Sequence, residues 1–337
     1  MISALSPLAT AANDNGIHVL TWDPVCQRSV SIADRLGKEL ETIHYFGYRR
    51  PWIAPVKYPL QAARTLQSLF EQRPKVVMVS NPPPFAAWTV WLYCKATGSK
   101  FVLDAHTGVF LEPKWRPFLP LNRFLMQRAA MTLVTNKALQ KRVNQWGGRG
   151  FVLPDPLPQT APAAARFPFD RRWQFNIAAV FSFYEDEPVD EMLSVRRLPA
   201  DTRVYVTGDS NRVSRHLKRQ LSQQVHLCGF VPRSQYDALL ATCNAVICLC
   251  TRPHTLLCGA YEAVAAGKPL ITSESEAMRQ YFRSGTIFVD NSTAGIEHGI
   301  RMARLRHHEL TTKMVQLRED LRREWNNTFN QCLAAIE

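Results

Sequence analysis

Short apolar runs rich in β-branched residues alternate along the chain with stretches whose apolar residues recur every three to four positions. The runs are typical of strands buried on both faces, and the stretches are typical of amphipathic helices. Such alternation predicts a parallel sheet covered by helices on both faces. In the first half the predicted strands are 17–22, 42–46, 76–80, 101–104, 131–135 and 151–153, and the predicted helices are 29–40, 58–72, 85–97, 121–129 and 137–146.

The second half shows the same alternation of predicted strands and helices. There the predicted strands are 175–181, 203–207, 225–227, 245–249, 269–272 and 286–289, and the predicted helices are 188–197, 211–221, 233–242, 256–266, 277–283 and 293–306. Five prolines between the two halves predict a stiff, extended linker.

The length of 337 residues fits two domains. We predict two doubly wound, Rossmann-like α/β domains facing a cleft, with ligands at the carboxyl ends of the strands. The predicted segments are a disordered leader (1–16), a first domain (17–153), the linker (154–169), a second domain (170–307) and a final helix packing back towards the first domain (308–337).

No apolar run reaches the roughly 18–20 residues that a membrane span needs, and the amino-terminal residues do not resemble a signal peptide. We therefore expect a cytoplasmic protein. The eight cysteines include no C-x-x-C pair. Four of them lie close together in sequence and could bind zinc. Two of these four fall in a predicted strand, so reduced core thiols are the better interpretation. These four are Cys243, Cys248, Cys250 and Cys258.

The net charge of +13 is concentrated in the first half. Residues 113–150 hold eight basic residues and no acidic one. Such a surface attracts anionic lipid or nucleic acid, and the alternative is a solvated basic face without a partner. Because residues 115–128 mix aromatic, leucine and arginine side chains, we favour an anionic membrane surface over nucleic acid. The alternative for this segment is a helix packed on the sheet.

Neither common nucleotide-binding fingerprint occurs, which disfavours Rossmann dehydrogenases and P-loop ATPases. The informative segment is 250–273, a strand, a polar loop, a helix and a second strand. The first helical turn, Leu256 to Gly259, predicts a phosphate site made of backbone N–H groups, and Gly259 would let the ligand approach closely. Glu262, one turn later, could accept two hydrogen bonds from a vicinal diol such as a ribose, or could simply face solvent.

The stretch from Thr251, TRPHTLLCGAYEAVAAGKPLI, resembles the donor-binding signature of GT-B glycosyltransferases, especially glycosyltransferase family 4. That family shows E-x(7)-E followed by A-x-G-x-P-[VL]-I. Glu262 matches the second glutamate, which holds the nucleotide ribose, and His254 occupies the position of the first, which contacts sugar hydroxyls. The other donor-binding residues that the resemblance implies are Arg252, Thr255, Leu256, Leu257, Cys258, Gly259, Val231, Ser182 and Gly208.

One loop departs from the family pattern. After the first strand of the second domain the family often brings Arg and Lys to the diphosphate, whereas this chain has Glu185, Asp186 and Glu187. Acidic side chains repel phosphate. Phosphate binding is therefore expected to depend on the helix that begins near Leu256, with Arg252, and a lipid-phosphate donor stays open.

In the first half, His106 follows a predicted strand, at a loop where the family often has a histidine near the reacting centre. We predict a catalytic role for His106, with Asp104 in reach to orient it; the alternative is a structural loop histidine. The Gly-Gly that the family shows near the acceptor is absent. In its place, Arg28 and Ser29 open a helix and are predicted to bind an anionic acceptor, unless Arg28 faces solvent.

Together these features predict a glycosyltransferase that moves a sugar from a nucleotide-sugar donor to a glycan or lipid-linked acceptor in cell-envelope or exopolysaccharide assembly. We expect no cofactor, no metal and no nucleic-acid partner, and a cytoplasmic location that is peripheral on the inner face of the membrane. The alternatives are a nucleotide-sugar 2-epimerase and a degenerate GT-B protein that binds glycan or acts as a scaffold.

Overall fold

The computed structural model describes residues 16–47, 51–159 and 166–336. Most of the predicted leader and residues 160–165 of the predicted linker lie outside this part. The chain divides into two compact units, Met1–Asp155 with Phe329–Glu337, and Pro156–Thr328. Each unit contains one six-stranded sheet whose paired strands all run parallel.

The first unit has the sheet order β2-β1-β3-β4-β5-β6. Its strands are β1 (Ile17–Thr21), β2 (Leu40–Thr42), β3 (Val76–Asn81), β4 (Lys100–Ala105), β5 (Met131–Val134) and β6 (Gly150–Val152). Its helices are α1 (Gln27–Arg35), α2 (Ala54–Gln72), α3 (Pro84–Thr97), α4 (Gly108–Leu111), α5 (Leu119–Met126) and α6 (Lys137–Gln145), with short 3-10 helices at Pro51–Ile53 and Pro113–Phe118.

The second unit has the order β12-β11-β10-β7-β8-β9. Its strands are β7 (Phe175–Val180), β8 (Thr202–Thr207), β9 (Val225–Gly229), β10 (Ala245–Cys248), β11 (Leu270–Ser273) and β12 (Thr286–Val289). Its helices are α7 (Val189–Leu193), α8 (Arg215–Arg219), α9 (Arg233–Thr242), α10 (Cys258–Ala265), α11 (Glu276–Tyr281), α12 (Thr293–Leu305) and the start of α13 (His307–Ile336), with a 3-10 helix at Ser210–Arg212.

The central strands explain why the apolar runs predicted a sheet covered on both sides. Every residue of β3 and of β5 is buried, as is every residue of β10 and β11. Parallel strands with helices on both faces have no solvent side, so their sequences are nearly continuous apolar runs rather than alternating ones. This confirms the prediction of two doubly wound α/β folds.

Several element boundaries differ from the prediction. Helix α1 ends at Arg35 rather than at residue 40, because Gly37 adopts a left-handed conformation (φ 64°) that stops the helix and lets β2 begin at Leu40. The helix predicted from residue 256 begins at Cys258, and the one predicted over 188–197 is limited to Val189–Leu193.

The last helix, α13, begins at His307, one residue before the predicted start. It spans 30 residues, and only its end, from Phe329, groups with the first unit. There Cys332 Sγ lies 3.9 Å from Met131 Sδ, and Lys100 Nζ donates to the Ile336 carbonyl at 3.1 Å. Within the described residues, no helix combines the length and the apolar content needed to cross a membrane.

Candidate functional site

The predicted donor residues lie at one edge of the second sheet. Ser182 follows β7, Gly208 follows β8, Val231 follows β9, and the loop 251–257 follows β10. Because all six strands are parallel, their carboxyl ends meet at this edge, where α/β sheets bind ligands. The topology therefore brings together the residues that the sequence predicted from separate segments.

Glu262 lies on α10 and is held by two side chains from α9. The Tyr236 hydroxyl donates to Glu262 Oε2, and Arg233 Nη1 lies 3.6 Å from Oε1. The Glu262 side chain is 19% exposed, so most of it is buried but part of it is accessible to a ligand. Burial raises the pKa of Glu262, against the opposing effects of Tyr236 and Arg233. Burial, followed by the Glu262 charge, also raises the pKa of Tyr236, which keeps that hydroxyl a donor.

Sequence reasoning did not assign Tyr236 or Arg233 to the site. They stand three residues apart at the start of a predicted helix, a spacing that places two side chains on one face. Sequence reasoning also did not assign Phe230 to the site. This residue precedes α9 and is 91% exposed. The signal available in the sequence was an aromatic residue next to Val231.

The amino-terminal end of α10 is open but lies two residues later than predicted. No side chain caps it, and its first turn contains no acidic residue. Leu256 and Leu257 pack against the core, and Cys258 is exposed. The Thr255 hydroxyl donates to the Pro253 carbonyl at 3.4 Å, and His254 adopts a positive φ of 59°.

The missing side chain of Gly259 makes room for the sheet rather than for a ligand, which corrects the reason predicted for this glycine. A Cβ at this position would lie 2.8 Å from Cys248 Sγ and 3.0 Å from Val180 Cγ1. The glycine therefore allows α10 to approach the sheet. Gly208 is also a packing glycine, because its φ is 114° and a Cβ would lie 2.2 Å from the Phe181 carbonyl oxygen.

The acidic loop after β7 is bonded internally. The backbone N–H of Ser182 lies 3.0 and 2.9 Å from the two carboxylate oxygens of Glu187, and the N–H of Tyr184 donates to the same carboxylate at 3.2 Å. Asp186 Oδ2 lies 3.2 Å from Arg252 Nε. The loop N–H groups and the Arg252 charge, which a phosphate could have used, are thus already engaged by carboxylates.

The four cysteines considered as zinc ligands differ in burial. Cys243, Cys248 and Cys250 are buried and Cys258 is exposed. In the part of the chain that the structure describes, no group of three or more His, Cys, Asp or Glu side chains could hold a metal ion.

In the first unit, His106 follows β4 and contacts Asp104. His106 Nε2 lies 3.5 Å from Asp104 Oδ2 and 3.7 Å from Cys26 Sγ. Burial alone would lower the pKa of His106, but Asp104 and Cys26 raise it to about 10. Burial alone would raise the pKa of Asp104, but Arg28 and His106 lower it to about 2. At neutral pH, His106 is therefore a charged hydrogen-bond donor beside an ionised carboxylate.

Arg28 and Ser29 are inside the fold, so the prediction that they bind an acceptor at the surface is wrong. Arg28 Nε donates to Asp104 Oδ1 at 2.7 Å, Nη1 donates to Asp155 Oδ1 at 2.6 Å, and the side chain is 5% exposed. Ser29 is buried with its hydroxyl 3.0 Å from Cys26 Sγ. The charge of Arg28 stabilises two carboxylates of its own unit.

The raised pKa of His106 predicts a pH dependence of stability. A group whose pKa is higher in the folded state stabilises the fold when protonated. We expect this contribution to be complete below about pH 6.5, the ordinary histidine value, and lost as the pH rises through about 10. Urea unfolding of wild type and His106→Gln across this range should show a difference that shrinks at alkaline pH. His308→Gln, at an exposed position of α13, is the control. A difference that stays constant with pH would contradict the assignment.

Comparisons with known proteins agree with this architecture. Residues 187–320 match the family model described as Glycosyl transferases group 1. No curated protein matches the chain by sequence. Solved structures match over nearly the whole chain. The HepE protein of Anabaena in complex with UDP has a TM-score of 0.68 at 15% identity, covering 94% of this chain and 98% of that one.

Two further structures have the same fold at similarly low identity. Sucrose-phosphate synthase from Thermosynechococcus elongatus has a TM-score of 0.72 at 11% identity, covering 94% of this chain and 97% of that one. A glycosyltransferase from Rickettsia africae has a TM-score of 0.72 at 12% identity, covering 95% and 97%. The two parallel sheets are the Rossmann-like domains of the GT-B fold, and the match to the group 1 glycosyltransferase model lies within the second unit.

Proposed function

We propose that the protein transfers a sugar from a nucleotide-sugar donor to a glycan or lipid-linked acceptor in cell-envelope or exopolysaccharide assembly, in the cytoplasm at the inner face of the membrane. The donor binds the second unit at the carboxyl edge of its sheet. The observation that carries this proposal is the Glu262 carboxylate, which is partly exposed and fixed in place by Tyr236.

The Glu262 carboxylate has room for a ribose. An ionised carboxylate offers about four acceptor positions, and Tyr236 uses one of them. Arg233 Nη1, at 3.6 Å, adds positive charge that favours the ionised form. Two vicinal hydroxyls can therefore donate to the same carboxylate without displacing Tyr236. Bound UDP in the HepE structure supports a uridine nucleotide as the first ligand to test.

We assign the donor phosphates to the amino-terminal end of α10. An uncapped helix start without acidic residues in its first turn attracts anions through its N–H groups and its dipole. The loop after β7 offers no comparable site, since Glu187 holds its N–H groups and Asp186 pairs with Arg252. The assignment to N–H groups requires no metal. His254 and the exposed ring of Phe230 are the candidates for contacts to the sugar and to the base, respectively.

We keep His106 as the candidate catalytic residue in the first unit. Its raised pKa favours a charged donor that stabilises developing negative charge, rather than a base that removes a proton at neutral pH. Asp104 acts through His106 as a positioning residue, because it orients and charges the ring.

The proposal predicts that one class of nucleotide stabilises the protein. A ligand at about 100 times its dissociation constant adds about 2.7 kcal/mol, which is a rise of a few degrees in Tm. We would measure Tm with UDP, GDP, ADP and the corresponding nucleotide sugars, and then follow nucleotide release from the sugar that binds.

Each outcome of this experiment is informative. Nucleotide release with transfer to an acceptor supports the proposal. A soluble isomer of the nucleotide sugar would identify a 2-epimerase instead. A donor that binds but is never consumed would identify a degenerate binding or scaffold protein, and the absence of any shift would exclude the nucleotide site.

A further inference from the structure

Two helices of the first unit expose an aromatic cluster that the function above does not use. On α3, Trp88 and Leu92 lie one turn apart and are 36% and 41% exposed. Trp91 and Phe124, the latter from α5, complete the cluster. The ring centroids of Trp88 lie 4.8 Å from Trp91 and 5.7 Å from Phe124, and those of Trp91 and Phe124 are 5.1 Å apart. Trp91 and Phe124 are partly buried against the core, so Trp88 and Leu92 form most of the exposed part. Contiguous apolar surface marks an interaction site more often than single exposed side chains do.

Cations border the cluster. Lys95 Nζ lies 5.3 Å from the centroid of the Trp91 ring, and Arg128 Cζ lies 3.5 Å from that of Phe124. Trp91, Lys95, Phe124 and Arg128 also line a cavity of about 820 Å³. Lys100 lines the same cavity, but its ammonium donates to the Ile336 carbonyl. A shallow basic cavity therefore opens beside the aromatic rings.

The segment that carries this cluster, residues 84–130, contains few acidic residues. Residues 84–130 contain six basic and two acidic residues. Asp104 is buried and paired with Arg28, and Glu112 lies 2.8 Å from Lys114. The cations of this surface are thus not matched by acidic residues of the same segment, and an anionic partner would complement them.

We propose that this α3–α5 surface, formed by Trp88, Trp91, Leu92, Lys95, Phe124 and Arg128, rests on an anionic lipid bilayer. Tryptophan suits the boundary between headgroups and acyl chains, because one part of the ring is apolar and its N–H is polar. Lys95 and Arg128 meet the lipid phosphates, and their stems cover apolar surface. The proposal extends the proposed function, since a lipid-linked acceptor lies at such a surface, but its test needs no transfer activity.

This surface overlaps the membrane surface predicted from residues 113–150 at Phe124 and Arg128, adds α3, and leaves out the later part of that stretch. Arg142, in the later part of that stretch, has its guanidinium 5.0 Å from the Trp146 ring and 5.7 Å from the Phe110 ring. Lys137 and Lys141 lie on α6, away from the α3–α5 aromatic cluster in sequence and not among its cavity residues. These two lysines provide a charge-matched control.

The test is co-sedimentation of the full chain with vesicles of phosphatidylcholine alone and of phosphatidylcholine mixed with phosphatidylglycerol. Wild type should bind the mixed vesicles and not the neutral ones. Lys95→Gln/Arg128→Gln should weaken binding roughly tenfold to thirtyfold, since each cation near an anionic surface contributes about a factor of five. Trp88→Ser/Leu92→Ser should weaken it as well, while Lys137→Gln/Lys141→Gln should change it by less than about threefold.

Three results would overturn the proposal. Equal loss in Lys95→Gln/Arg128→Gln and in the α6 control would show diffuse attraction by net charge. Absence of vesicle binding by wild type would exclude the bilayer. Sedimentation velocity showing a dimer that Trp88→Ser/Leu92→Ser abolishes, without vesicle binding, would assign the surface to a second copy of the chain. The Tm shift with UDP, measured on the same variants, separates failure here from failure of the proposed function.

Discussion

Glu262→Ala is expected to weaken binding of UDP by roughly tenfold to a hundredfold. A hydrogen bond to a charged group contributes about 1.5–3 kcal/mol, and each 1.4 kcal/mol is a factor of ten in the dissociation constant. The alanine removes the acceptor of both ribose hydroxyls and leaves Tyr236 without its partner. Isothermal titration of wild type and variant with UDP measures the change directly.

Two further variants make this result specific. Tyr236→Phe keeps the Glu262 charge and removes only the hydroxyl that holds it, so we expect a smaller loss than for Glu262→Ala. Glu319→Ala, on the exposed side of α13, changes the net charge equally and should bind UDP as wild type does. Equal affinities for wild type and Glu262→Ala would remove Glu262 from the nucleotide site.

Arg28→Leu is expected to lower the free energy of unfolding by about 3–5 kcal/mol, because the buried Asp104 carboxylate loses its nearer counter-charge and keeps only His106, at 3.5 Å. Asp104 is 3% exposed and Asp155 is 31% exposed, so most of the cost arises at Asp104. Urea unfolding followed by circular dichroism gives the difference. Arg35→Leu, at an exposed position of the same helix, should change stability by no more than about 0.5 kcal/mol.

A double variant tests the cause of this loss. In Arg28→Leu/Asp104→Asn no unpaired charge remains at Asp104, so part of the stability lost in Arg28→Leu should return. The His106 pKa should fall in the same variant, since the first charge that raises it is gone. A double variant that is less stable than the sum of its parts would contradict a charge-based explanation.

The predicted fold and the observed one agree because the apolar pattern that predicts each strand and helix lies within that element's own residues. Strands such as β3 and β10 are buried along their entire length, and a parallel strand covered on both faces is apolar at most of its positions. The helix that carries Glu262 could be identified in the same way, from the polar loop before it and the strand after it. The first residue of this helix could not be identified from the sequence, because the start of a helix depends on caps and packing that the apolar pattern does not show.

The roles of individual charged residues and glycines depended on contacts between distant segments. Arg28 meets carboxylates 76 and 127 residues away, and those contacts turn a predicted surface cation into a buried ion pair. Gly259 packs on Cys248 and Val180, and Glu187 bonds the N–H groups of its own loop. The apolar pattern along the chain therefore determined which segments form strands and helices and in what order they follow, since the burial of a whole element depends on its own residues. Which polar groups stay open to a ligand was decided only in the folded chain, because the free energy of a charge or an N–H group depends on the partner that the tertiary structure brings to it.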